Sequence, residues 1–379
     1  MQTTARTFKA HVFPLHHNAT AVRIRLRRII VVCTPLPAFT GLLFCLAGLL
    51  VACTEPAAPT PLQAPLVDVP AGFPSQTFPI DNDPTRERVA LGKALFFSTA
   101  LSSDNSVACA SCHRPELAFT DGRAVSLGAA GRLGTRNAPS LANVGYYPYY
   151  LREGSLPTLE MQVLVPIQEH DEFDMNILHV AERLRLDSSL VQLSMQAYAR
   201  DIDPYVITRA IACYERTLVS GRSRYDTYTS SSGSVSNAAH SVFNESEKRG
   251  MALFFSDRAR CHACHGGFAF TNHAFANNGL SGSYSDNGRF RFTKLEADRA
   301  TFKTPSLRNV GVTAPYMHNG SVTSLTAVVA HYNSGGALHA NKSPIIKPLN
   351  LSAQEQLDLV SFLHTLTDET FIANDAHRP

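Results

Sequence analysis

A chain of 379 residues is long enough for two domains of ordinary size, and with 44% hydrophobic residues and 22 each of glycine and proline it is neither collagen-like nor disordered. The formal charge is +3, but the first 52 residues hold six of the 34 basic residues and no acidic one; the remaining 28 Lys/Arg against 31 Asp/Glu give −3, which argues against a nucleic-acid binder. Eight cysteines and the absence of tryptophan are the two unusual counts.

Residues 29–52 carry no charged side chain, follow the basic run from Arg23 to Arg28, and end in Leu50-Val51-Ala52-Cys53. A basic stretch, an apolar stretch and small residues before a cysteine read as an export signal over 1–52. The final tetrapeptide resembles the lipobox of bacterial lipoproteins, which implies a periplasmic protein tethered to the membrane through a lipid on Cys53. The alternative is an uncleaved anchor, since 24 uncharged residues can span a bilayer, although Pro35 and Pro37 disfavour it. Residues 53–79, rich in Pro and Ala, read as a flexible tether.

Four of the five cysteines beyond Cys53 fall in two copies of C-x-x-C-H: Cys109-Ala110-Ser111-Cys112-His113 and Cys261-His262-Ala263-Cys264-His265. Two thiols at this spacing form thioethers to the two vinyl groups of one haem while the adjacent imidazole reaches its iron, so the pattern predicts two covalently bound c-type haems with His113 and His265 as iron ligands. Disulfides, the ordinary fate of exported cysteines, leave the histidine after each pair without a reason. Cys213 reads as a buried helix thiol.

The motifs sit in an internal repeat. Leu91-Gly92-Lys93-Ala94-Leu95-Phe96-Phe97-Ser98 matches Arg249-Gly250-Met251-Ala252-Leu253-Phe254-Phe255-Ser256. Ala138-Pro139-Ser140-Leu141-Ala142-Asn143-Val144 matches Thr304-Pro305-Ser306-Leu307-Arg308-Asn309-Val310, and Tyr150 to Ser155 matches Tyr316 to Ser321. The expected fold is mainly α, two tandem c-type cytochrome-like haem domains at 80–228 and 241–379, joined by a Ser/Gly-rich linker at 229–240. Asp203-Pro204 predicts a helix start, as do the capping pairs Asn244/Glu247 and Ser352/Glu355. Carried forward at its ungapped offset of 166, the repeat sets Pro166 opposite Tyr332. A tyrosine there can ligate the second iron and a proline cannot, so the first iron is expected to be five-coordinate and open to a small oxidant. His331 is the rival ligand; adjacent helix residues face different ways, so at most one of the two binds.

These motifs, with Arg136-Asn137-Ala138-Pro139, Phe302-Lys303-Thr304-Pro305 and Ala314-Pro315-Tyr316-Met317-His318-Asn319-Gly320, resemble the bacterial dihaem cytochrome c peroxidase and MauG family over essentially the whole chain beyond the signal. The resemblance implies that the N-terminal haem is peroxidatic, with Gln162 and Glu172 as pocket residues and Glu172 as general acid/base. It further implies one calcium ion between the haems, held by Asn137, Thr313 and Pro315. The classical peroxidases of that family have a distal histidine in the loop at 121–130; here Ala129 stands at the aligned position and the loop contains no histidine, so the first haem is expected to be open without reductive activation. Relatives place a tryptophan between the haems, where this chain has Arg152; the run Tyr146, Tyr147, Tyr149 and Tyr150 precedes it and is a candidate substitute, though such runs are more often core.

The expected function is reduction of hydrogen peroxide to water with electrons from a small cytochrome c or cupredoxin. The alternatives are a MauG-like oxidase that modifies a partner protein and a non-enzymatic dihaem electron carrier. No nucleic-acid partner is expected, membrane association is expected only through the N-terminus, and a homodimer is compatible with the reading.

Overall fold

The computed structural model describes residues 66–231 and 242–379; the expected export signal, Cys53 and most of the expected 229–240 linker lie outside the described residues. Regular structure is almost entirely helical, with one antiparallel pair, β1 (Phe275–Ala276) and β2 (Phe302–Lys303). The chain is therefore mainly α, as its turn and capping residues indicate.

Each half is built on two crossed helices. In the first, α1 (Arg86–Phe96) packs on α6 (Pro204–Arg216), whose N-cap Asp203 accepts from the Val206 amide. In the second, α8 (Glu245–Phe254) packs on α10 (Ala353–His364); both open with the predicted capping boxes, at Asn244/Glu247 and Ser352/Glu355. The repeated glycine explains the closeness of both crossings. A Cβ at Gly92 would stand 1.9 Å from the Ala210 carbonyl oxygen, and one at Gly250 1.9 Å from that of Asp358. No larger residue allows the helices to meet there.

The remaining helices that position the site are α2 (Cys109–Cys112), α3 (Leu159–Gln168), α4 (Ile177–Leu184), α5 (Ser188–Tyr198), α7 (Arg224–Ser231), α9 (Leu325–Ser334) and α11 (Glu369–Ile372). One core gathers Leu91, Leu95, Phe96, Phe119, Ile207 and Tyr214; the other gathers Phe254, Phe270, Val310, Leu359 and Phe362.

The described residues nevertheless form one compact unit, because each half sends an arm onto the other. Helix α7 lies on the second core: the Tyr225 ring is 4.9 Å from Phe270, Asp226 pairs with Arg308 at 2.8 Å, and Arg224 pairs with Glu247 at 2.6 Å. In the other direction Phe371 of α11 and His377 pack on Phe119, with ring centroids 5.7 and 5.5 Å away. Within the segment read as a tether, Phe73 stands 4.8 Å from Phe268 and beneath the Arg308 guanidinium. The paired asparagines of the repeat join the halves as well. Asn143 and Asn309, both left-handed at φ 63° and 62°, converge on Ser220: Asn143 Nδ2 donates to its carbonyl at 2.8 Å and Asn309 Nδ2 to its hydroxyl at 2.9 Å.

Candidate active site

The two C-x-x-C-H motifs take up short helical turns, with Cys109 and Cys112 spanning α2 and Cys261 opening a 3-10 turn to Ala263. All five cysteines among the described residues are free. Burial pushes the Cys112 thiol up to about 11 and that of Cys261 up to about 12, the opposite of what a reactive dithiol or a zinc thiolate requires. Among the described residues no cluster of three or more His, Cys, Asp or Glu side chains is placed to hold a metal ion by itself.

The histidines are oriented alike. His113 Nδ1 lies 2.9 Å from the Phe119 carbonyl oxygen; His265 Nδ1 lies 3.3 Å from that of Phe270 and 3.2 Å from that of Pro305. An Nδ1 hydrogen bond fixes the tautomer and leaves Nε2 free to bind iron. Burial lowers both imidazole pKa values, that of His265 to about 4, so both rings are neutral, as ligation needs. The repeated serine completes each arrangement, a role not evident in the sequence. Ser140 Oγ donates to the Ala118 carbonyl and Ser306 Oγ to that of Ala269, both at 2.6 Å, each one residue before the carbonyl that holds the histidine. The residues present thus fit two covalently attached haems.

Helices α3 and α9 are equivalent residue for residue at the repeat offset. Their N-caps, Thr158 and Ser324, accept from Met161 and Ala327 amides, both at 3.2 Å. Pro166 and Tyr332 accordingly occupy the same helical position, and one turn earlier Gln162 corresponds to Val328; all four are half-buried. In α9 the Tyr332 hydroxyl is pushed up by burial, opposed by a hydrogen bond with Asn278, and feels Cys264 and Cys261. His331 Nε2 lies 3.0 Å from the carbonyl oxygen of the same Asn278. Nearby, Met317 Sδ accepts from Asn278 Nδ2 at 3.2 Å, and His318 stacks on Phe302 at 4.1 Å instead of donating a hydrogen bond.

After α3 the chain folds back along the helix end, with the Phe173 amide donating to the Pro166 carbonyl at 3.1 Å and that of Met175 to the Ile167 carbonyl at 2.9 Å. This turn carries Glu172. The loop that holds Ala129 seals against it: the Ala129 amide donates to the Glu172 carbonyl at 2.7 Å, and a Cβ at Gly128 would meet the Asp171 carbonyl oxygen at 2.1 Å. By accessible area the Glu172 side chain keeps contact with solvent, while its own turn and the Ala129 loop pack around its base. Burial, then the Glu169 and Asp171 carboxylates, raise its carboxyl to about 7. Its charge reaches Cys109 and Cys112. His170 is engaged with Asp174 at 3.1 Å. A second carboxyl near the first motif was missed by sequence reasoning: Glu215, on the buried face of α6, is raised to about 8 by burial against the opposing charge of Arg216, and its Oε2 has no hydrogen-bond partner. Its place in the run Ile207, Ile211, Tyr214 of core residues was the available clue.

Between the halves the structure corrects the calcium expectation. The Asn137 amide donates to the His318 carbonyl at 3.0 Å. Its two oxygens, however, both accept from Arg152 Nη2, the backbone carbonyl at 2.6 Å and Oδ1 at 3.2 Å, and its Nδ2 donates to the Arg123 carbonyl. Burial and the nearby Arg136 lower the Arg152 pKa only to about 10, so the guanidinium is charged at neutral pH. A divalent ion about 4 Å away would be repelled by about 8 kcal/mol even at an effective dielectric of about 20. Asn137, with both its oxygens engaged by a charged guanidinium, therefore does not fit as a calcium ligand. The tyrosines line this same contact: Tyr149 stacks on Phe275 at 5.2 Å, Tyr147 meets His273 edge-on at 4.9 Å, and Lys303 Nζ lies 4.5 Å above the Tyr147 ring.

A duplicated helical fold with one C-x-x-C-H motif per half defines a dihaem c-type cytochrome. The family model described as di-haem cytochrome c peroxidase matches residues 86–234. The methylamine utilization protein MauG of Methylorubrum extorquens is 38% identical over 296 residues, covering 77% of this chain and 81% of that protein. The cytochrome-c peroxidase IdrP1 of Pseudomonas sp. strain SCT is 34% identical over 370 residues, covering 88% and 94%. A crystal structure of a MauG-like protein associated with microbial copper homeostasis superposes with a TM-score of 0.76 at 35% identity, covering 82% of this chain and 97% of that one. The chain belongs to the dihaem cytochrome c peroxidase and MauG family, whose members carry two c-type haems.

Proposed function

We propose that this chain is an exported dihaem peroxidase that reduces hydrogen peroxide to water with electrons from a small cytochrome c or cupredoxin. The observation that carries the reading is the difference between equivalent helices: α9 offers Tyr332 where α3 offers Pro166, with Gln162 one turn before it and Glu172 just beyond. In this reading Cys109, Cys112 and His113 hold the peroxidatic haem, and Cys261, Cys264, His265 and Tyr332 hold the electron-accepting one. When bound, the haems supply an iron for the inner peroxide oxygen and the two electrons that the donor then restores. One peroxide, two electrons and two protons give two waters.

The protein's own part is positioning and proton movement. Gln162 presents its amide to the bound peroxide. Glu172, ionised, takes the proton of the inner oxygen and delivers it to the outer oxygen as the O–O bond breaks heterolytically, so the outer oxygen leaves as water and not as hydroxide. Pro166 contributes no side-chain ligand, and with Ala129 in place of a distal histidine the site needs no reductive opening.

The identity to MauG and the Tyr332 ligand favour a second reading, peroxide-driven oxidation of a partner protein. Stopped-flow spectroscopy of the fully oxidised holoprotein mixed with peroxide and reduced cytochrome c separates the two. Rapid donor oxidation is the expected result. A long-lived oxidised haem spectrum without donor turnover would select the second reading, and no reaction with peroxide would leave only an electron carrier.

The export and anchoring remain part of the proposal, resting on the sequence around Cys53. Labelled palmitate should enter the expressed wild-type protein and not Cys53→Ala; labelling that survives the substitution would remove Cys53 as the lipid site.

A further inference from the structure

We propose that the Arg152 guanidinium is the resident cation between the two haem motifs, taking the place of a metal ion at Asn137, and that the chain binds no calcium there. The geometry supplies the argument. One guanidinium nitrogen donates to both oxygens of Asn137, the side-chain Oδ1 and the backbone carbonyl, which are the hard donors a calcium ion would use. Among the described residues Arg152 forms no salt bridge of its own: Glu153 and Asp286 nearby both pair with Arg136. Its Nε is buried without any hydrogen-bond partner. Asn137 turns its carbonyl and Oδ1 toward a single point, and Arg152 fills it.

The backbone fixes the guanidinium in place. The Lys303 amide of β2 donates to the Arg152 carbonyl at 2.7 Å, and Arg289 Nη1 donates to the Glu153 carbonyl at 2.7 Å, so this stretch is clamped to the second half on both sides of the arginine. The cation is thus delivered by the chain itself, joins the two halves through Asn137 and the His318 carbonyl it bonds, and cannot be removed by chelation.

The test uses the full-length holoprotein. Elemental analysis by mass spectrometry should find no bound calcium, EGTA should leave the electronic and EPR spectra of both haems unchanged, and calorimetric titration with calcium chloride should show no binding. Arg152→Gln frees Asn137 Oδ1 and removes the charge, and should tighten calcium binding by about a hundredfold or more, with a calcium-dependent change in the haem spectra. Arg152→Lys, which keeps the charge, should stay indifferent to calcium. Stoichiometric calcium in the wild-type protein, with haem spectra that respond to EGTA, would overturn the proposal. So would an Arg152→Gln holoprotein that binds calcium no better than wild type. Should that variant fail to accumulate, the wild-type calcium content and EGTA response decide alone.

Discussion

Glu172→Gln should slow peroxide cleavage by about 10²- to 10⁴-fold, the usual contribution of a positioned acid/base, while leaving both haems attached and their resting spectra intact. The amide keeps the size and hydrogen-bonding capacity of the carboxyl but cannot shuttle a proton. The pH profile supplies the sharper measurement. With the carboxyl raised to about 7, Glu172 is protonated in acid and unable to accept from peroxide; the wild-type rate should rise as pH climbs through about 7 and level off above it. In Glu172→Gln this limb should vanish, leaving a slow, flat rate. Single-turnover mixing of oxidised protein with peroxide across pH 5 to 9 reads both effects, and Asp171→Asn, which removes one of the carboxylates that raise Glu172, should move the limb to lower pH without abolishing it. A variant at Glu172 that retains the wild-type rate would move the proton-transfer role elsewhere, with Glu215 the next carboxyl to examine.

The site was legible in the sequence to the extent that it depends on spacing. The C-x-x-C-H pairs, the glycines that let α1 meet α6 and α8 meet α10, and the offset that sets Pro166 against Tyr332 are local or periodic features. The structure places them as their positions imply. The choice between Tyr332 and His331 is not legible, because both are plausible ligands on adjacent positions; only in the folded chain does the Asn278 carbonyl, 53 residues earlier, engage the His331 ring. The exchange of arms was hidden for a similar reason. Helix α7 precedes the Ser/Gly-rich run and so reads as the end of the first half, yet Tyr225, Asp226 and Arg224 find their partners in the second. Arg152 shows the limit most clearly. Alignment marks it as the residue standing where a tryptophan is usual, but the direction of a long side chain depends on what surrounds it, and only in the folded chain does its guanidinium meet the oxygens of Asn137.

Tyr332→Phe should alter the second haem more than any other single substitution that leaves its attachment intact. On the proposed ligation, removing the hydroxyl deletes an oxygen donor whose anionic form stabilises ferric iron, so the reduction potential of that haem should rise by a substantial fraction of the roughly 0.8 V over which axial ligands tune haems. Its low-spin spectrum should convert to that of an iron with an open or water-filled position, as seen by EPR and by loss of the ligand's charge-transfer features. The first haem should keep its resting spectrum, because Pro166 offers no such ligand at the equivalent position of α3. His331→Ala, which breaks the contact with the Asn278 carbonyl and touches no motif residue, should leave both haem spectra in place. The reverse pattern, a silent Tyr332→Phe and a changed His331→Ala, would transfer the ligand to His331. A raised potential also has a functional consequence that the same variant can measure. If the phenolate holds the second haem low, donors of moderate potential reduce wild type slowly, and Tyr332→Phe should accept electrons from them faster while releasing them to the first haem more slowly. The rate of donor oxidation under excess peroxide would then fall even though reduction of the resting protein accelerates, a split that loss of folding or of haem would not produce.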